Sequence, residues 1–149
     1  MSESESSTSA ADMYRILIPV DADEDRARGQ AAFVADLPSG PDTIEVIVSH
    51  ALTPDEIEAP EEAQSVDRVE TVAQVRDDLE AKGYEVTLAE GRLPPADGIL
   101  GLAEEFDADQ IVMGSRKRSP TGKVVFGSVA QQVLLESSVP VTVVGAKPA

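Results

Sequence analysis

The chain has 149 residues, 28 acidic against 12 basic side chains, a formal net charge of -16 and 42% apolar residues. That length suits one domain with a sizeable core, and the charge excludes non-specific association with nucleic acid or anionic membrane, whose phosphates would be repelled over most of the surface. There is no cysteine, which removes disulfides, thiolate metal sites and cysteine nucleophiles.

Residues 1–12, MSESESSTSAAD, are small, polar and acidic with nothing to bury, and are expected to form a disordered tail ahead of one folded unit at 13–149. The start of the chain lacks the basic and apolar segments of an export signal. No apolar run approaches the roughly 18 residues that span a bilayer, so a cytoplasmic location is expected.

From Arg15, RILIPV is a compact apolar run ending at Asp21, and TIEVIVSHAL, YEVTLAEG, ADQIVMGS and VPVTVVGA are four more of the same kind. Each is short and rich in Val and Ile, as a buried strand is. The segments between them have a helical period: Ala27, Ala31, Val34 and Ala35 after the first run; Val66, Val69, Val72, Ala73 and Leu79 after the second, closed by Lys82-Gly83; Ile99, Leu102, Ala103 and Phe106 after the third; Ala130, Val133 and Leu134 after the fourth. Apolar strands joined by helical crossovers predict a three-layer open α/β sandwich, a five-stranded parallel sheet with helices on both faces and right-handed connections. Pro140 cannot donate to a ladder from inside a central strand, which predicts that the last strand is an edge. The stretch ALTPDEIEAPEEAQ after strand two is expected to be a long acidic loop.

Ligands of open parallel sheets sit beyond the carboxyl ends of the strands, where the winding reverses. Strand one ends in Pro19-Val20-Asp21, and strand four ends in Met113-Gly114-Ser115 before a loop that carries Arg116, Lys117, Arg118 and Lys123 within eight positions. No acid stands between Asp109 and Glu136. Gly114 and Gly127 allow close backbone approach, and Gly127-Ser128-Val129 opens the final helix, whose first amides and positive dipole end would face an anion. The same residues have plainer readings. Ser128 to Gln131 reads as a Ser-x-x-Gln capping box that needs no ligand, and the basic cluster reads as a solvated loop offsetting acidic neighbours. Together the two features favour an anion site, with Asp21 on a ribose hydroxyl. His50 has neither a cysteine nor a second histidine to complete a metal site and reads as a hydrogen-bonded residue near a strand end.

Several sharper motifs fail. Gly122-Lys123 is followed by Val124 and preceded five positions earlier by Lys117, so the P-loop pattern is broken twice. No G-x-G-x-x-G follows the first strand, no G-x-S-x-G elbow exists, and the third run ends in Ala89-Glu90-Gly91 without the acceptor aspartate of a response regulator.

Over residues 14 to 147 the chain resembles the universal stress protein family. The resemblance is carried by ILIPVD at 16–21, VIVSHAL at 46–52, EGRLPPADGILGLAEEFDADQIVMGS at 90–115 and FGSVAQQVLLESSVPVTVV at 126–144. It implies a sheet ordered 3-2-1-4-5, a homodimer joined through the last strand (residues 139–144) and, as in many members, an ATP site. The nucleotide-binding members carry Gly, two residues, Gly, nine residues and Gly-Ser or Gly-Thr. Gly114 fits the first glycine and Gly127-Ser128 the end, while Asp21 matches the strand-one acid near the ribose and Ala51 the small residue lining adenine. Lys117 stands where the middle glycine belongs; its side chain either blocks close backbone approach or replaces amide contacts with a direct charge on phosphate.

The function expected from this pattern is a cytoplasmic, dimeric, ATP-binding stress protein with a regulatory or protective role, Mg²⁺ accompanying the triphosphate. AMP, another phosphorylated metabolite and an empty site are the competing occupancies. The alternatives in function are a slow ATPase or phosphotransferase, for which no dedicated nucleophile is evident, and a ligand-free dimeric interaction module. So acidic a chain, with so few lysines, also resembles proteins of high-salt cytoplasm, where screening tolerates the self-repulsion.

Overall fold

The computed structural model describes residues 13–51, 69–115 and 126–147. The tail at 1–12, all of the acidic loop beyond Ala51, Val66 and the basic segment at 116–125 lie outside them. The order of elements is β1 (Tyr14–Val20), α1 (Glu24–Ala35), β2 (Ile44–His50), α2 (Glu70–Ala81), β3 (Glu85–Ala89), α3 (Pro95–Glu105), β4 (Gln110–Gly114), α4 (Ser128–Glu136) and β5 (Val141–Val144). All pairings are parallel and the strand order is β3-β2-β1-β4-β5, so both the alternation and the edge position of β5 are as expected.

β1 is central because both of its faces are apolar. Ile16, Ile18 and Val20 point into one core with Val46, Val48, Val72, Val75 and Leu79, under α1 and α2. Leu17 points the other way, with Ile47, Ile99, Leu102, Ile111, Met113 and Val133, under α3 and α4. Alternation along one strand thus feeds two separate cores.

The helix boundaries follow from local chemistry. α1 is capped by Asp23, whose carboxylate accepts from the Arg26 amide at 2.9 Å, and Glu24 and Asp25 stand in its first turn where the dipole favours negative charge. α3 begins with Pro95, whose missing N–H would have no partner in a first turn. α2 ends in the expected stop: Gly83 has φ 93°, its amide bonds Glu80 O at 2.9 Å and the Tyr84 amide bonds Leu79 O at 3.0 Å, which satisfies the last carbonyls. α3 ends in the same way without glycine, with Asp107 at φ 51°.

The last strand is shorter than the apolar run that predicted it. It begins after Pro140, whose carbonyl accepts from Ile111 N at 3.0 Å, so the proline opens the pairing with β4 and costs it no donor. Beyond β5 the chain folds back over α1. A Cβ on Gly29 would collide with the carbonyl oxygen of Gly145. Lys147 N donates to Asp25 O at 2.9 Å, and Arg28 Nη1 donates to Lys147 O at 2.8 Å.

Candidate functional site

The sheet reverses its winding between β1 and β4, and their pairing is short. It is recorded at Ile16 with Gln110 and at Leu17 with Ile111, whereas β1 and β2 stay in register as far as Val20 and His50. Pro19, which has no N–H to give a ladder, lies in the stretch of β1 beyond that pairing. Gln30, reaching in from α1, takes the place of the ladder. It is 1% exposed, and its Nε2 donates to Pro19 O at 2.8 Å and to Val112 O at 3.0 Å. One amide therefore ties the two strands where their own bonds have stopped, just below the crevice.

The walls of that crevice are the expected strand ends. On one side stand Val20, fully buried, and Asp21, half-buried; Ala51 N donates to Val20 O at 2.7 Å, which sets Ala51 beside the end of β1 and against the α3/α4 core. On the other stand Met113, Gly114 and Ser115, the serine buried and its amide held by Val144 O at 2.8 Å. Arg116, Lys117, Arg118 and Lys123 belong to the segment outside the described residues. His50 is buried at the end of β2, backed by Gly91, whose place admits no Cβ because one would collide with His50 O.

At the start of α4 the capping-box reading is corrected. The N-cap is Gly127, in an extended conformation, and among the described residues no side chain caps the helix; Ser128 is the first helical residue and is exposed. With the serine one position too late, its hydroxyl cannot serve as the N-cap acceptor, and the opening amides of α4 keep their donors for another partner. Val129 packs against the α3/α4 core, which fixes the angle at which those amides emerge. The first turn of α4 holds no acid, in contrast to α1.

Asp21 is the most constrained side chain here. Its Oδ1 accepts from Asp23 N at 2.9 Å, its Oδ2 from Arg26 Nε at 3.0 Å, and its main-chain oxygen accepts from the Thr71 hydroxyl at 2.6 Å. Arg26 and Gln30 are the residues that sequence reasoning missed. Gln30 left one signal: a polar side chain on the same face of α1 as Ala27, Ala31 and Val34. Among the described residues no group of three or more His, Cys, Asp or Glu is arranged to hold a metal ion. A separate concavity lies at the other end of the sheet, between the C-terminal ends of α3 and α4, lined among others by Glu104, Asp107 and Glu136. An acidic hollow there offers nothing to an anion.

Fold and crevice together define a class: an open parallel α/β sandwich that can offer hydroxyl acceptors on one side of the switch point and backbone donors on the other. Residues 13–145 match the family model for the universal stress protein family, and the chain belongs to that family. It is 34% identical over 93 residues to the stress response protein NhaX of Bacillus subtilis; that match takes in 60% of this chain and 54% of the relative, so the chain spans about half the relative's length. A universal stress protein from Archaeoglobus fulgidus superposes with a TM-score of 0.65 at 31% identity, covering 89% of this chain and 98% of that one. A second A. fulgidus structure, the universal stress protein in complex with dAMP, superposes with a TM-score of 0.62 at 26% identity, with the same two coverages of 89% and 98%. Among the described residues no helix is long and apolar enough to cross a membrane.

Proposed function

We propose that this chain binds an adenine nucleotide in the crevice between β1 and β4 and acts in the stress response as a cytoplasmic homodimer, joined through residues 139–144. The observation that carries the reading is the start of α4, whose N-cap is a glycine without a side chain to offer, on the chain that leaves β4 beside the strand that leads to Asp21. One wall accepts hydrogen bonds from hydroxyls and the other donates them to an anion, which is what a ribose phosphate asks for. The dAMP complex of the A. fulgidus relative supports the choice of base. In this reading Ala51 lines adenine, while Pro19, the main chain of Val20, Met113 and Ser115 shape the floor. Gly114, Gly127, Ser128 and Val129 bring main chain to the phosphates. Arg116, Lys117, Arg118 and Lys123 supply positive charge for the phosphates in this proposal, and the ligand is ATP, with Mg²⁺ on its phosphates.

Equilibrium binding of labelled ATP and AMP in molar KCl, with and without Mg²⁺, tests this. Saturable binding below millimolar concentration is expected, weakened roughly tenfold by Asp21→Ala through loss of a hydrogen bond to a charged group. A chain that takes up neither nucleotide at millimolar concentration is a ligand-free module, and the proposal fails.

A further inference from the structure

Arg26 is bonded to the β1 wall of the crevice and packs on the β4 wall. Its Nε donates to Asp21 Oδ2 at 3.0 Å, and its Nη2 lies 3.7 Å from Asp23 Oδ2. Its stem rests on the end of β4, so that a Cβ on Gly114 would lie 3.1 Å from Arg26 Cβ and 3.3 Å from Arg26 Cδ. The platform is rigid, since Gln30, one helical turn further along α1, is locked by its two bonds to β1 and β4. A solvated surface arginine has no need of such a seat.

An ionised carboxylate offers about four lone-pair sites, two on each oxygen. In Asp21 one site on Oδ1 is taken by Asp23 N–H and one on Oδ2 by Arg26 Nε–H. The two donors come to different oxygens, so each oxygen keeps one site, and the side chain retains 27% exposure. What remains is one acceptor site on each oxygen of a carboxylate tethered at both. That fits two neighbouring hydroxyl donors on one ring.

From this geometry we infer that Arg26 is a positioning residue: it holds Asp21 as a two-pronged acceptor for the 2′,3′-diol of a ribose and so selects ribonucleotides over 2′-deoxyribonucleotides. The inference rests on the nucleotide reading above and names what that site discriminates. Arg26 itself touches the carboxylate, not the ligand. Its guanidinium is flanked by Asp21 and Asp23, so any anion approaching it meets two negative charges first.

The test is the ratio of the dissociation constants for 2′-deoxy-AMP and AMP, measured at one fixed KCl concentration. The wild-type chain is expected to prefer AMP roughly tenfold, the worth of one charge-assisted hydrogen bond. In Arg26→Ala, AMP binding weakens and the preference falls to about twofold or less, because a carboxylate held only by Asp23 N–H offers its second acceptor only part of the time. Arg26→Lys, which restores one donor without the planar fork, recovers part of the preference, and serves if the alanine variant does not fold. An unchanged ratio in both variants overturns the inference, and so does tighter AMP binding in Arg26→Ala, which would make Arg26 a competitor for Asp21. Binding of neither nucleotide by the wild-type chain would refute the function proposed above. The Asp21 side-chain couplings in NMR then decide on Arg26 alone. A single Asp21 rotamer that becomes averaged in Arg26→Ala supports the positioning role, and couplings that do not change overturn it.

Discussion

Tyr84 ties the end of α2 to α1 through one bond, its hydroxyl donating to Val34 O at 3.0 Å from a ring that is 3% exposed. Burial, and secondarily the charge of Asp36, raises its pKa above the ordinary 10.0, because the phenolate would be both desolvated and repelled. The folded state therefore holds the phenolic proton more tightly than the unfolded chain. Its contribution is complete below pH 10 and is lost as pH rises through the raised folded value. Urea unfolding at a series of pH values should show stability falling above about pH 10, with the Tyr84 share of that fall absent in Tyr84→Phe. Below that range Tyr84→Phe should cost about 1 kcal/mol, the worth of the hydrogen bond. Tyr14 is shifted in the same direction, by burial and by Asp109, but at 42% exposure it has less to lose. At this scale the site was only partly legible in the sequence. Asp21, Gly114 and Gly127 could be picked out by position at strand and helix ends. The bonds from Arg26 to Asp21 and from Gln30 to both strands could not, because they depend on the angle at which α1 crosses the sheet.

Elements were the most legible level, since a strand that is apolar on both faces and a helix that is apolar on one differ in period. The misreadings occur where one residue decides a boundary. Ser128 fits the capping-box pattern, yet the helix starts one residue earlier than that pattern requires, with Gly127 as cap. β5 carries the clearest consequence of element geometry. Pro140 O and Val144 O accept from Ile111 of β4 and from Ser115 just beyond it, and along a strand the backbone groups alternate sides, so the N–H and C=O of Val141 and Val143 face away from the sheet. A second copy pairing along this edge would use those groups. Val143→Pro removes one outward N–H and leaves the bonds to β4 in place. Light scattering should find a dimer for the wild-type chain and a monomer of unchanged circular dichroism for the variant, and a dimer that survives the proline places the interface elsewhere.

For the molecule as a whole, the net charge of -16 is a cost that no set of surface ion pairs removes. Arg15 with Glu45, Arg26 with Asp21 and Arg28 with Asp25 each retain some exposure, and such pairs stabilise by well under a kcal/mol or so. Screening by salt relieves the repulsion between unpaired acids more than it weakens these few attractions. The melting temperature is therefore expected to rise by roughly 10 °C between dilute buffer and molar KCl, equivalent to about 3 kcal/mol in a chain of this size. A melting curve indifferent to KCl would show that the acids are spaced widely enough not to matter.

The shared middle strand has one more effect. Because neighbouring residues of β1 serve opposite halves of the interior, its vertical setting is fixed twice over: sliding it by one position would present each half with the side chains meant for the other. Asp21 sits immediately past that doubly pinned rod, so the height of the carboxylate above the sheet is inherited from hydrocarbon packing and does not have to be set by anything that enters from solvent.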